Sequence, residues 1–133
     1  MKILLDTNVI ISAILFPAGK TAYVTDYILE THQPVIYSYS VDEAYKVFEN
    51  KFPHKIESLK EFFDTLDCEY FPSPKRIDKN DYPGIRDTKD VPILASAILS
   101  YSDILLTGGK DFENVDIKRP LILTPSQYYD LIK

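Results

Sequence analysis

Four short apolar runs punctuate the chain: Ile3-Leu4-Leu5, Val35-Ile36-Tyr37, Ile104-Leu105-Leu106 and Leu121-Ile122-Leu123. Each is too short for a helix and reads as a buried strand, and a weaker strand fits Cys68 to Phe71. Between them the apolar positions return with helical spacing. Val9 to Leu15 predicts a helix broken by Pro17 and Gly19, and Thr21 to Thr31 carries Ala22, Val24, Tyr27 and Ile28 on one stripe. Ile56, Leu59, Phe62, Phe63 and Leu66 mark a helix over 56–66. Two segments carry the capping-box signature, a hydroxyl residue followed three positions later by Glu or Gln. Ser40-Val41-Asp42-Glu43 predicts a helix from Ser40 to about Phe52, stopped by Pro53. Thr124-Pro125-Ser126-Gln127 predicts the last helix, with proline just inside its start. Asp90 opens a further helix through Ser100, with Pro92 tolerated in its first turn. Residues 72–89 hold Pro72, Pro74, Pro83 and Gly84 among charges and read as a long loop, of the kind that often carries function.

Strands that alternate with helices predict an α/β fold with a parallel sheet and helices on both faces. The uninterrupted apolar runs suit strands covered on both sides. At 133 residues the chain is expected to form a single domain over 1–133, without internal repeats.

Composition narrows the class. The apolar share of 45% and charged share of 26% suit a soluble globular protein. One cysteine, Cys68, permits neither an internal disulfide nor a cysteine-rich zinc site, which fits a reducing compartment. Asp6 and Asn8 interrupt the apolar start, so no signal peptide is expected, and no run approaches the roughly 20 apolar residues of a membrane span. A cytoplasmic location is therefore expected. The net charge of −5 argues against a protein that coats nucleic acid, but not against a nuclease whose acids hold metal. Two basic clusters, Lys46, Lys51, His54 and Lys55, then Lys75, Arg76 and Lys79, read first as solvated surface.

The acids then change the picture. Sites in open α/β sheets form beyond the C-terminal ends of the strands. Asp6 ends the first strand, Glu43 follows the second, and Asp111 lies just past the strand ending at Thr107. Asp90 precedes a strand and reaches that edge only through its long loop. Two carboxylates about 4 Å apart repel by roughly 4 kcal/mol at an effective dielectric near 20, so a gathered set requires protons or cations. Many acids, two histidines and no cysteine cluster favour Mg²⁺ or Mn²⁺ over zinc.

In this order, four segments resemble the PIN-domain family, which includes the VapC-like toxins of toxin–antitoxin modules. Met1-Lys-Ile-Leu-Leu-Asp-Thr-Asn-Val-Ile10 is similar to its opening, Ser40-Val-Asp-Glu43 to its second motif, Asp90-Val-Pro-Ile-Leu-Ala-Ser-Ala97 to its third, and Leu105-Leu-Thr-Gly-Gly-Lys-Asp-Phe112 to its fourth. The resemblance spans nearly the whole chain. It implies a three-layer α/β/α sandwich with a central, mainly parallel sheet, and a Mg²⁺- or Mn²⁺-dependent endoribonuclease, as the toxin of a toxin–antitoxin pair. It also implies that Asp6, Glu43 and Asp90 are metal ligands, joined by Asp111, that Asn8 orients Asp6, and that Thr107 is a polar neighbour. Many members carry an acid where this chain has Gly109, which leaves Asp111 as the acid available there. Asp87, in Arg86-Asp-Thr-Lys-Asp90, is a supporting acid. The expected partners are an RNA substrate, an antitoxin protein and a second copy in a homodimer.

Structural readings stand beside these. Asp6 can cap the helix that follows it, Glu43 can serve the capping box of Ser40, Asp90 can favour a helix dipole, and Asp111 can be a turn residue. Tyr128 and Tyr129 can stack on bases or pack in the core, and His32 and His54 read as surface. Two other functions remain open. One is a catalytically weak PIN fold that binds RNA or protein, for which Gly109 speaks. The other is a phosphohydrolase with an Asp nucleophile, against which Asn8 stands, since that class uses Asp-x-Asp.

Overall fold

The computed structural model describes residues 1–72, 91–108 and 119–132. Five parallel strands, β1 (Lys2–Leu5), β2 (Gln33–Tyr37), β3 (Glu69–Phe71), β4 (Ile104–Leu106) and β5 (Leu121–Leu123), form one sheet in the order β3-β2-β1-β4-β5. The helices are α1 (Thr7–Leu15), α2 (Lys20–Thr31), α3 (Ser38–Lys51), α4 (Ile56–Thr65), α5 (Val91–Leu99) and α6 (Pro125–Ile132), with a 3₁₀ turn at Pro53–Lys55.

Strand periodicity sorts the apolar residues onto two faces. Ile3 and Leu5 of β1 join Ile36, Ile104 and Leu106 beneath Val9, Ile10, Val24, Ile28 and Tyr128 from α1, α2 and α6. Leu4, Val35, Tyr37 and Leu105 face the other way, against Ile93, Leu94 and Ala97 of α5. Helices thus cover both faces of a parallel sheet, which makes the expected three-layer sandwich. A third cluster, Ala44, Phe48 and Leu59, ties α3 to α4 on the crowded side. Each such side chain contributes on the order of 1.5–3 kcal/mol through burial.

The central strands match the expectation of cover on both sides, since Ile3, Leu4, Leu5, Leu105 and Leu106 are fully buried. The expectation fails for Leu121 to Leu123. β5 is an edge strand and Leu121 is half exposed, although its sequence is as apolar as that of β4. The pattern of one strand carries no record of its place in the sheet.

Helix starts differ from expectation in two places. α1 begins at Thr7 rather than Val9, with Asp6 as its cap. α3 begins at Ser38 and not at Ser40; its cap position is Tyr37, and no side chain caps it. The capping box expected of Ser40 and Glu43 is therefore absent, because both lie inside the helix. The box at α6 forms as expected. The Thr124 N–H donates to Gln127 Oε1 at 2.9 Å, and the Gln127 N–H donates to Thr124 Oγ1 at 3.1 Å.

At the far edge of the sheet Lys2 Nζ pairs with Glu69 at 2.8 Å and donates to the Ser100 carbonyl at 2.6 Å. α5 ends in a Schellman turn, with the Ser102 N–H on the Ala97 carbonyl and Tyr101 at φ 58 where glycine is usual. Cys68 is half-buried, and burial pushes its thiol pKa up. No helix among the described residues is long and apolar enough to cross a membrane. The loop expected over 72–89 lies outside the described residues after Pro72, and so do Lys75, Arg76 and Lys79.

Candidate active site

The parallel ladder sets the site. Beyond the last paired residues of β1 and β4, the Asp6 N–H donates to the Leu106 carbonyl at 3.0 Å, and the Thr107 N–H donates to the Leu123 carbonyl at 2.9 Å. These bonds hold Asp6 beside Thr107 at the C-terminal edge of the sheet. The Thr107 hydroxyl donates to Asp6 Oδ2 at 2.7 Å. The other oxygen, Oδ1, accepts the Thr7 N–H at 2.7 Å. Asp6 therefore caps α1, as its structural reading had it, and keeps a second, cross-strand bond. Two bonds to two carboxylate oxygens fix the plane of the group.

Thr7 carries the link to α3. Its hydroxyl donates to Glu43 Oε1 at 3.3 Å. Because α3 starts at Ser38, Glu43 lies on its second turn, and the side chain is drawn toward Thr7 instead of back to the cap. Ser40 precedes it by one helical repeat, on the same helix face. Ser40 is fully buried, and its hydroxyl has no hydrogen-bond partner among the described residues.

The electrostatics of the two acids agree. Burial, opposed by the Thr107 and Thr7 hydrogen bonds, leaves the Asp6 carboxyl with a pKa raised above 3.8. Burial also raises Glu43 above 4.5; the Thr7 hydroxyl and Lys46 act against it, and the charge of Asp6 adds to it. Each acid is thus harder to ionise because of its surroundings, and the two repel. Neither forms a salt bridge among the described residues. Such a pair suits a bound cation, which would supply the missing positive charge. The donors are all oxygens, as Mg²⁺ and Mn²⁺ prefer.

The structure brings together Asp6, Thr107 and Glu43 of the residues singled out in the sequence. It assigns the bonds to Asp6 differently from expectation: Thr7 and Thr107 make them, while Asn8 is exposed and turned to a neighbouring hollow. Thr7 is the residue that sequence reasoning passed over; its place directly after the strand-ending acid was the available signal. Asp87, Asp90 and Asp111 lie outside the described residues, as does Gly109. Among the described residues no third acid, histidine or cysteine joins the pair.

With this geometry in hand, comparison is informative. The family model of the PIN domain matches residues 2–111 of this chain. The chain belongs to the PIN-domain family. PIN domains are generally nucleases that use divalent metal ions. Six chains of solved structures match this PIN domain. One is from the crystal structure of VapBC2 from Rickettsia felis bound to a DNA fragment from their promoter, with a TM-score of 0.68 and 18% identity. The match covers 93% of this chain and 98% of that one. At that identity it speaks for the fold. No curated protein matches the sequence.

Proposed function

We propose that this PIN domain hydrolyses RNA phosphodiester bonds as a Mg²⁺- or Mn²⁺-dependent endoribonuclease. The observation that carries the reading is the Asp6–Thr7–Glu43 bridge: two half-buried acids from different elements, both harder to ionise than usual, meet at the strand ends with no salt bridge among the described residues. Asp6 and Glu43 would hold the cation, with Asp90 and Asp111 as further ligands and Asp87 as a supporting acid. The bound ion supplies Lewis acidity toward the phosphate and its attacking water. The chain's own contribution is placement. Thr107 and the Thr7 N–H fix the plane of Asp6, and the Thr7 hydroxyl turns Glu43 toward it. The ladder bond from the Asp6 N–H to the Leu106 carbonyl holds its backbone at the end of β4.

The test is cleavage of a labelled mixed-sequence RNA by wild type and Asp6→Asn, in Mg²⁺, in Mn²⁺ and in EDTA. The expected outcome is metal-dependent cutting that Asp6→Asn lacks. Binding of divalent metal without cutting of any RNA would favour a binding module, and absence of metal binding would remove the acid-site reading altogether.

The likeness to a chain of a VapBC2 complex supports a toxin role, with an antitoxin as partner. We propose this together with a homodimer and a cytoplasmic location. Co-expression with the product of an adjacent gene, followed by co-purification and mass measurement, tests both assemblies.

A further inference from the structure

Next to the acid pair lies a hollow of about 290 Å³, lined by Asn8, Val9 and Ser12 of α1, Lys20 and Thr21 of α2, Gly108 after β4, and Thr124, Pro125 and Ser126 at α6. Its position follows from the chain. Asn8 is two residues beyond Asp6, and Gly108 directly follows Thr107, so its walls continue the two strands that hold the site.

The lining combines apolar area with hydrogen-bonding groups and a charge. Val9 and Pro125 offer apolar area. Asn8 offers both an acceptor and donors, and Ser12, Thr21 and Ser126 offer hydroxyls. Among the described residues of the lining, Lys20 is the cation, in a chain of net charge −5. It is braced rather than loose. Its Nζ donates to Ser126 Oγ at 3.4 Å and lies 4.9 Å from the centre of the Tyr129 ring. An ammonium has three donors, so this contact leaves others to face an anion. α2 begins at Lys20 with neither a side-chain cap nor an acid in its first turn, so no acid of that turn pairs with the lysine. Tyr23, 55% exposed, packs edge-on against Tyr129 and extends the rim with an aromatic ring.

We propose that this hollow seats one nucleotide of the RNA strand beside the scissile bond. Lys20 takes the phosphate oxygens, and Asn8, Ser12, Thr21 and Ser126 take the sugar and base edge over Val9 and Pro125. This rests on the ribonuclease reading above. The volume is close to the lower bound of ordinary small-ligand pockets, roughly 300 Å³, and so suits one nucleotide better than a stretch of strand. Asn8 thereby serves substrate placement in place of the orientation of Asp6.

The test uses the full-length protein with Lys20→Ala, Gly108→Leu and, as an exposed control on α4, Lys60→Ala. A side chain at Gly108 meets no atom within 4 Å of its Cβ, so leucine there fills space without disturbing the fold. Melting by circular dichroism checks that each variant folds. Binding of a labelled single-stranded RNA is read in EDTA by fluorescence anisotropy at several salt concentrations, and cleavage is read separately with metal. Lys20→Ala is expected to weaken RNA binding about tenfold, as loss of one charge-assisted contact does. It is also expected to lower the salt slope by about 0.7, the value for one phosphate on a single strand. Its KM should rise while kcat stays near wild type. Gly108→Leu is expected to change which positions are cut. If wild type cleaves RNA while Lys20→Ala and Gly108→Leu bind with the wild-type salt slope and cut the same positions, the nucleotide site is overturned and the nuclease reading stands. If wild type neither binds nor cuts RNA, both fall.

Discussion

The starts of α3 and α6 carry the same local signature and end up doing different work. At α6 the box Thr124-Pro125-Ser126-Gln127 closes on itself, with both reciprocal hydrogen bonds formed. At α3 the box Ser40-Val41-Asp42-Glu43 does not form. The helix starts two residues earlier, Ser40 is buried without a hydrogen-bond partner among the described residues, and Glu43 is bonded to Thr7 from another element. One end of the molecule satisfies its local preference. The other gives it up where a long-range partner competes for the same carboxylate. Local propensity and global fold usually agree, and places where they part are where function is expected.

The comparison is broken most strongly at Glu43. Glu43→Gln is expected to lower RNA cleavage by at least about 100-fold with the fold intact, since loss of even an outer partner of a metal ligand typically costs 10–100-fold. Cleavage at the wild-type rate would return Glu43 to a structural role. Thr7→Val removes the hydroxyl that turns Glu43 and keeps the shape; cleavage should fall roughly tenfold, with metal affinity, read by titration calorimetry, falling in step.

The α6 box should respond in stability alone. Thr124→Ala removes one half of the reciprocal cap and is expected to cost about 1 kcal/mol, a fall of about 4 °C in Tm. Cleavage by Gln127→Ala, which breaks the same cap from a residue outside the lining of the hollow, should not change by more than a small factor at a temperature well below melting. A loss of activity as large as that of Glu43→Gln would mean that the two helix starts are not functionally distinct.

The pH dependence of the metal-free protein separates the two ends further. Asp6 and Glu43 have folded-state pKa values raised above 3.8 and 4.5, chiefly by burial. The folded chain therefore binds more protons than the unfolded chain in the window just above those values. Stability present at the acid end of that window is lost as pH rises through it. Thermal melting in EDTA across weakly acid to neutral pH should show this fall, and Glu43→Gln should flatten it. The neutral Thr124–Gln127 cap contributes no such slope, so Gln127→Ala should leave it unchanged. The smallest effect is expected at Ser40. A buried hydroxyl without a hydrogen-bond partner contributes no cap, so Ser40→Ala should leave Tm equal or slightly higher. A loss like that of Thr124→Ala would show that the hydroxyl is bonded in solution.

Much of the layout was legible because it depends on period. Apolar runs placed all five strands to within a residue or two, and the stripe of Leu59, Phe62, Phe63 and Leu66 placed α4 against the core. Asp6 was legible as the acid at the C-terminal end of β1, because it directly follows a buried apolar run. Glu43 was legible only as one of two alternatives. The hollow around Lys20 was not legible, because Lys20, Ser126 and Gly108 are far apart in the chain and no spacing rule joins them.

The order of residues by itself determined the α/β class, the strand and helix segments, the turn chemistry at Thr124 and the acid that ends β1. Those follow from side-chain volume, polarity and backbone preference within a few residues. Tertiary structure alone decided that β5 lies at an edge with Leu121 half exposed, that α3 starts at Ser38, and that Glu43 meets Thr7. These outcomes turn on which distant group is nearest once the sheet closes. A hydrogen bond to a side chain 36 positions away cannot be weighed against a local cap until both are in place.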